Sequence, residues 1–318
     1  MKTKFAIGCL VQWYESEMIQ DYAETLKEAI DRYDGEIIID VGIVMNQDLE
    51  KSSLDEENFL KLEEKIKSIF NIENINFKSF HDLYTIADYR REFNDNYCDQ
   101  VDVLIWGESD MLVPKQMFLV LDMLHKSVKD KSPKYVSTFG ICKMWDNSWK
   151  PIEHVDFTDK PFIEGDSKNW WNIPYTMTKE EMNQFNDKVD ELDISVIKPH
   201  KFNGCGLVIS SEVVRSGVNI PRVSFFINED TSFLIMLKKI LGDVPQYHFR
   251  NILLVHNRKH PKKRLHVLNE DNDEYLDKNR TKNEWYNISN EMNKKNIYNI
   301  FDPSYKSYKW EDVWKNIK

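Results

Sequence analysis

The sequence predicts an α/β protein with a mixed, largely parallel central sheet flanked by helices. Two observations carry this. In the first 106 residues, short apolar runs alternate with stretches whose apolar residues recur every three or four positions, giving strand, helix, strand, helix, strand, helix, strand. The chain also has 318 residues, of which 41% are hydrophobic and 30% charged, so it can bury a substantial core as one large domain or two modest ones.

In order along the chain, FAIGCLVQW (5–13) is a first buried strand. From Met18 to about Arg32, Ile19, Tyr22, Ala23, Leu26, Ala29 and Ile30 fall at helical spacing. Asp34-Gly35 marks a turn into a second strand, EIIIDVGIVMN (36–46). A helix over about 56–70 leads to a short third strand, INFKSF, and TIADYRREFNDNYC (85–98) is a further helix. VDVLIWGESD then drives an apolar strand into Glu108-Ser109-Asp110.

In the second half, KYVSTFGICKMW (134–145) and WKPIEHVDF (149–157) suggest a hairpin around Asp146-Asn147-Ser148. A helix is expected through about 178–192, and GCGLVISSEVV (204–214) runs from glycines into a strand and a helix start. SFFINEDTSFLIMLKKIL (224–241) begins extended and becomes helical after Asp230. HFRNILLVHNRKHPKKR (248–264) is a strand ending in a His- and base-rich loop. The tail, 271–318, is rich in aromatics, among them Trp285, Tyr286, Tyr298, Phe301, Tyr305, Tyr308, Trp310 and Trp314, and is expected to fold back onto the body.

Right-handed crossovers place the strand ends on one edge of such a sheet, where α/β proteins bind ligands. Glu108, Ser109 and Asp110 sit at that edge, as do Trp13–Glu17 and Asn46–Asp48. Two acids so close repel unless water solvates them or a positive charge sits between them. The turn is therefore either an ordinary acidic turn or a seat for a cation.

The formal net charge of −10 excludes a surface that is basic throughout, though not a local basic patch. Cys9, Cys98, Cys142 and Cys205 are scattered, which points to thiols in a reducing compartment. No secretory signal and no run of roughly 18 apolar residues is seen. The expected location is the cytoplasm.

Four features line up in order: Glu108-Ser109-Asp110 at a strand end, the loop Asn203-Gly204-Cys205-Gly206, Asn228-Glu229-Asp230 before a helix, and His256 closing a strand. This series resembles the GT-A fold of nucleotide-sugar-dependent glycosyltransferases, with its DxD metal motif, glycine-rich loop, xED motif and C-terminal histidine. The resemblance covers roughly residues 4–266 and departs at Glu108, where the family's first acid is usually Asp.

The resemblance implies a domain over 1–270, with a nucleotide-sugar half to about 115 and an acceptor-side half over 116–270, and an extension over 271–318 that packs on it. It implies Mn²⁺ or Mg²⁺ held by Asp110, His256 and, through water, Glu108, beside the phosphates of the donor. Asp230 becomes the base of an inverting transfer, and Glu229 an acceptor-binding or structural acid. Asp230, Asn228 and Thr231 are equally readable as a plain helix N-cap.

Gln12, Trp13, Tyr14 and Glu15, with Asp40 or Asn46, are expected around the base and ribose. Ser109 belongs to the same donor pocket, and Arg90 and Arg91 lie where the family carries a basic residue near the nucleotide. Gly204 and Gly206 either let backbone approach donor or acceptor, or make a tight turn into a strand. Arg258, Lys259, Lys262, Lys263 and Arg264 form a basic run that is either a solvated face or a diphosphate clamp.

The expected donor is a UDP-sugar. The acceptor is a glycan, a small glycoside or a hydroxymethylated DNA base, with Trp145, Trp149, Trp170, Trp171 and Tyr175 available for stacking. Two rivals are a sugar-1-phosphate nucleotidylyltransferase, disfavoured because CLVQWYESE is neither glycine-rich nor basic, and a non-catalytic nucleotide- or carbohydrate-binding module.

Overall fold

A computed structural model describes residues 1–12, 19–45, 56–81, 84–141, 178–197, 204–224, 228–257 and 284–309. Its elements are β1 (Phe5–Gln12), α1 (Ile19–Ile30), β2 (Ile37–Val44), α2 (Glu56–Ile69), β3 (Ile75–Phe80), α3 (Ile86–Tyr97), β4 (Val103–Trp106), β5 (Met111–Leu112) and α4 (Met117–Val128). They continue with β6 (Val136–Ile141), α5 (Lys179–Asn186), β7 (Ile194–Ile197), β8 (Leu207–Ser210), α6 (Ser211–Arg215), α7 (Glu229–Leu241), β9 (Gln246–His256) and α8 (Glu284–Asn299).

Among the described residues nine strands form the sheet, in the order β3-β2-β1-β4-β8-β6-β9-β5, with β7 beside β9. β3, β2, β1 and β4 run parallel. β8 runs antiparallel between β4 and β6, which makes the sheet mixed.

Helices cover both faces, which explains strands apolar at every position. In β4, Val103 and Ile105 pack with Tyr22 and Leu26 of α1 and Phe118 of α4. Leu104 and Trp106 face the other way, onto Phe93 of α3, Val213 of α6 and Phe233 of α7. Each such fully buried side chain stabilises the fold by about 1.5–3 kcal/mol relative to an exposed one.

Helix starts follow local chemistry. α3 opens with a capping box in which the Asp88 amide donates to Thr85 Oγ1 at 3.1 Å and the Thr85 amide donates to Asp88 Oδ2 at 3.2 Å. Thr178 and Glu181 do the same for α5. That helix stops at Asn186 rather than near 192, and the Asn186 side chain there binds both the amide and the carbonyl of Leu253. The chain then forms β7, a strand the sequence reading lacks. α7 begins at Glu229, two residues ahead of the expected start after Asp230. The second hairpin arm (149–157), the aromatics Trp145 to Tyr175 and the basic run from Arg258 lie outside the described residues.

β9 is irregular where it crosses the sheet. Phe139 pairs with Phe249 but Gly140 pairs with Leu253, so Arg250, Asn251 and Ile252 have no β6 partner. Asp193, just before β7, fastens this bulge. Its carbonyl accepts the Arg250 amide at 2.8 Å, and its amide donates to Asn251 Oδ1 at 3.0 Å. Beyond the bulge β9 reaches β5, where His256 pairs with Met111. At the C-terminus, α8 packs on α7: Asn228 Nδ2 donates to Asn290 Oδ1 at 2.7 Å, and Lys239 Nζ to the Tyr298 carbonyl at 3.2 Å. No helix among the described residues is long and apolar enough to cross a membrane.

Candidate active site

The edge at the carboxyl ends of β1 and β4 gathers the acids. β4 ends at Trp106, and the Gly107 amide donates to the Gly8 carbonyl of β1 at 2.7 Å, turning the chain into Glu108-Ser109-Asp110. The Met111 amide returns to the Glu108 carbonyl at 3.0 Å, and the Asn257 amide donates to the Asp110 carbonyl at 2.6 Å. Ser109 and Asp110 are buried, and Glu108 is 22% exposed.

His256, at the end of β9, completes the turn. Its Nε2 lies 3.1 Å from Glu108 Oε2 and 3.2 Å from Asp110 Oδ2. Neighbouring ligands of a divalent ion bonded at about 2.1 Å lie roughly 3 Å apart, so these donors fit such an ion. Glu108, Cys205 and His256 also bring one donor atom each within 4.8 Å of one another. Carboxylate oxygens suit Mn²⁺ or Mg²⁺, with phosphate oxygens or water to complete the shell, and the imidazole nitrogen favours the transition ion of the two.

Arg90, on α3, sits behind this turn with a side chain 2% exposed. Its Nη2 donates to Glu108 Oε1 at 2.7 Å and to the Gly204 carbonyl at 3.3 Å, while Nη1 donates to Glu229 Oε1. The guanidinium also lies 4.8 Å above the Trp106 ring. One cation thus ties the acid turn to the first turn of α7.

One guanidinium cannot neutralise Glu108, Glu229 and Asp230 together, and their protonation divides accordingly. Burial opposes ionisation of Glu108, but the His256 hydrogen bond and the Arg90 charge outweigh it and hold its pKa near 2. Burial dominates at Glu229 and lifts it to about 7, against the pull of Arg90. Asp230 is raised as well, again by burial, which the Thr231 amide and Arg90 partly offset. That amide meets Asp230 Oδ1 at 2.6 Å. Asp230 is not the N-cap: Asn228 is, in left-handed backbone at φ 58°, with its side chain turned to Asn290.

The remaining expected residues fall as follows. Arg91 binds the carbonyls of Ile220, Pro221 and Ser224 and the Asp88 carboxylate. Asp40 accepts hydroxyl hydrogen bonds from Tyr89 at 2.7 Å and Tyr97 at 2.6 Å, linking β2 to α3. Gln12 closes β1 at the same edge as the acid turn. Gly204 lies against Arg90: a Cβ there would come within 2.5 Å of Nη1. Gly206 holds φ +68° and packs on Leu254. Trp13, Tyr14, Glu15, Asn46, Arg258 and Lys259 lie outside the described residues. Cys205 is the residue of this cluster to which the sequence reading gives no role, since one thiol between two glycines carries no ligand spacing.

No protein-family model and no curated protein matches the chain. Among solved structures it is similar to S. aureus TarS 1–349 in complex with UDP, at 11% identity and a TM-score of 0.48, covering 99% of this chain and 78% of that one. It is also similar to glucosyl-3-phosphoglycerate synthase from Mycobacterium tuberculosis in complex with Mg²⁺ and uridine diphosphate, at 11% identity and TM-score 0.43, covering 84% and 75%. A third is the 4-diphosphocytidyl-2C-methyl-D-erythritol synthase from Anaerococcus prevotii, at 10% identity and TM-score 0.40, covering 83% and 95%. The likeness is one of fold. At such identities no site residue is carried over from these proteins.

Proposed function

We propose that the chain is a metal-dependent, GT-A-type glycosyltransferase that moves a sugar from a nucleotide-sugar donor, a UDP-sugar, to an acceptor hydroxyl with inversion. The observation that carries this reading is the single point at which Glu108, Asp110 and His256 converge, on the ligand-binding edge of the sheet, with Asp230 tied to it through Arg90 and Glu229.

In this reading Asp110, Glu108 and His256 hold Mn²⁺ or Mg²⁺, which supplies neutralisation of the negative charge that gathers on the departing diphosphate. Asp230 takes the proton from the acceptor hydroxyl. The acceptor oxygen then bonds to the anomeric carbon as the bond from that carbon to the diphosphate breaks. Burial raises the basicity of Asp230, and the dipole of α7 steadies its ionised form between turnovers. Arg90 keeps Glu108 and Glu229 from moving independently. Gln12 and Ser109 belong to the donor pocket.

Calorimetric titration of UDP into the protein tests this, first with Mn²⁺, then with EDTA, then with Mn²⁺ on Asp110→Ala. Binding that needs the metal and disappears in the variant is the expected result. Failure of UDP and other nucleoside diphosphates to bind with metal would reduce the turn to an ordinary acidic one. Tight binding of a nucleoside triphosphate instead would favour nucleotidyl transfer.

A further inference from the structure

The donor atoms that converge here include sulfur. Glu108, Cys205 and His256 each bring a ligand-type atom within 4.8 Å of the other two. Cys205 is a thiol rather than half of a disulfide, and it is 4% exposed. Backbone contacts on both sides fix it in place. The Gly204 carbonyl accepts from Arg90 Nη2 at 3.3 Å, and the Gly206 amide donates to the Trp106 carbonyl at 2.9 Å. Gly206 holds φ +68° and packs on Leu254, a backbone that disfavours a side chain next to the thiol.

A second observation concerns Tyr22, which is 1% exposed. Its hydroxyl has no hydrogen-bond partner among the described residues, although buried hydroxyls nearly always find one. It lies against Gly107, the residue before Glu108, where a Cβ would come within 2.4 Å of it.

We propose that Cys205 is a donor of this cation seat, and that the seat therefore takes a thiophilic divalent ion such as Co²⁺ or Zn²⁺ in preference to Mg²⁺. The proposal rests on the reading that the acid turn holds a cation, and it names the class of ion. Mg²⁺ demands oxygen ligands, whereas a thiolate, imidazole and carboxylate set suits borderline ions. Bonds of about 2.3 Å to sulfur and about 2.1 Å to nitrogen or oxygen span about 4.4 Å across an ion and about 3.6 Å at a tetrahedral angle, so closing the set draws the side chains together by up to about 1 Å. On coordination the sulfur–hydrogen bond is replaced by a sulfur–metal bond, and the proton leaves to solvent. Glu108, Asp110, His256 and Cys205 make four protein donors, so a six-coordinate ion keeps two positions open for phosphate oxygens.

The test is a Co²⁺ titration of EDTA-treated, full-length protein followed by absorption, with calorimetry alongside. Wild type is expected to develop a thiolate-to-Co²⁺ charge-transfer band. Cys205→Ser should lose the band and at least about tenfold in Co²⁺ affinity, with Mg²⁺ affinity unchanged. Cys142→Ser should keep the band. Heat released by Co²⁺ binding in wild type with no such band overturns the proposal and leaves the cation seat standing. This arm decides even if Cys205→Ser does not fold. Loss of the band in Cys142→Ser with its retention in Cys205→Ser also overturns it. If neither Co²⁺ nor Mn²⁺ binds wild type, the seat itself falls, and the proposed function with it.

Discussion

Arg90 faces three carboxylates, and its loss leaves Glu108 and Glu229 without their guanidinium partner. Arg90→Met is expected to destabilise the fold by about 3–5 kcal/mol in urea unfolding. Arg90→Lys should recover only part of this, because a single ammonium cannot fork between Glu108 and Glu229. Glu229 gives the site a pH signature. Its pKa rises from 4.5 to about 7 on folding, so the folded state binds the extra proton. The resulting stability is complete below about pH 4.5 and is lost as pH rises through 7. Melting temperatures should fall between pH 5 and 8, and Glu229→Gln should flatten that fall. An unchanged slope would mean that Arg90 keeps Glu229 ionised throughout. Asp230→Asn removes the proposed base without touching the cation seat. Turnover should drop about 10²–10⁴-fold while UDP affinity with Mn²⁺ stays the same.

The loop into β8 is held by close contacts at both of its glycines. Gly206→Ala forces a left-handed residue with a Cβ 2.5 Å from Leu254 Cδ1 and is expected to lose at least about 1–2 kcal/mol of stability, read from the urea midpoint. The strands and helices around it were legible wherever their signal is local. VLIW and EIIIDVGIV read as strands because both faces are buried, and α1 and α3 show their apolar spacing and, in α3, a capping box within a few residues. β5 and β7 are too short to carry a pattern: they exist because β9 offers them an edge. Residues of the site divide in the same way. Glu108, Asp110 and His256 announce themselves by standing at strand ends. The buried pairing of Arg90 with Glu229 spans 139 residues, and nothing in either neighbourhood foretells it. Cys205 acquires its significance only when β4, β8 and β9 come together.

Across the whole molecule, the N-terminus is tied to α4 through Asp122. Its Oδ1 accepts from the Thr3 amide at 3.0 Å and the Thr3 hydroxyl at 2.7 Å, and its Oδ2 from Lys126 at 2.7 Å. Burial opposes its ionisation, but these partners outweigh it and hold its pKa near 2. A lowered carboxyl pKa gives stability that is present above the ordinary carboxylate range and is lost as pH falls from about 4 toward 2. Asp122→Asn should therefore weaken the protein by about 1–3 kcal/mol at neutral pH and blunt its acid sensitivity over that window, as urea midpoints at successive pH values would show. The bulge in β9 has a different reach. Side chains along a strand alternate between faces, so the three residues between Phe249 and Leu253 set the parity of everything downstream. Delete one, and odd becomes even: a neighbour, Val255 or Asn257, turns toward the acid turn where His256 now points. The imidazole is delivered by arithmetic, and a one-residue miscount some twenty ångströms of extended chain away would disarm the site with every acid still in place.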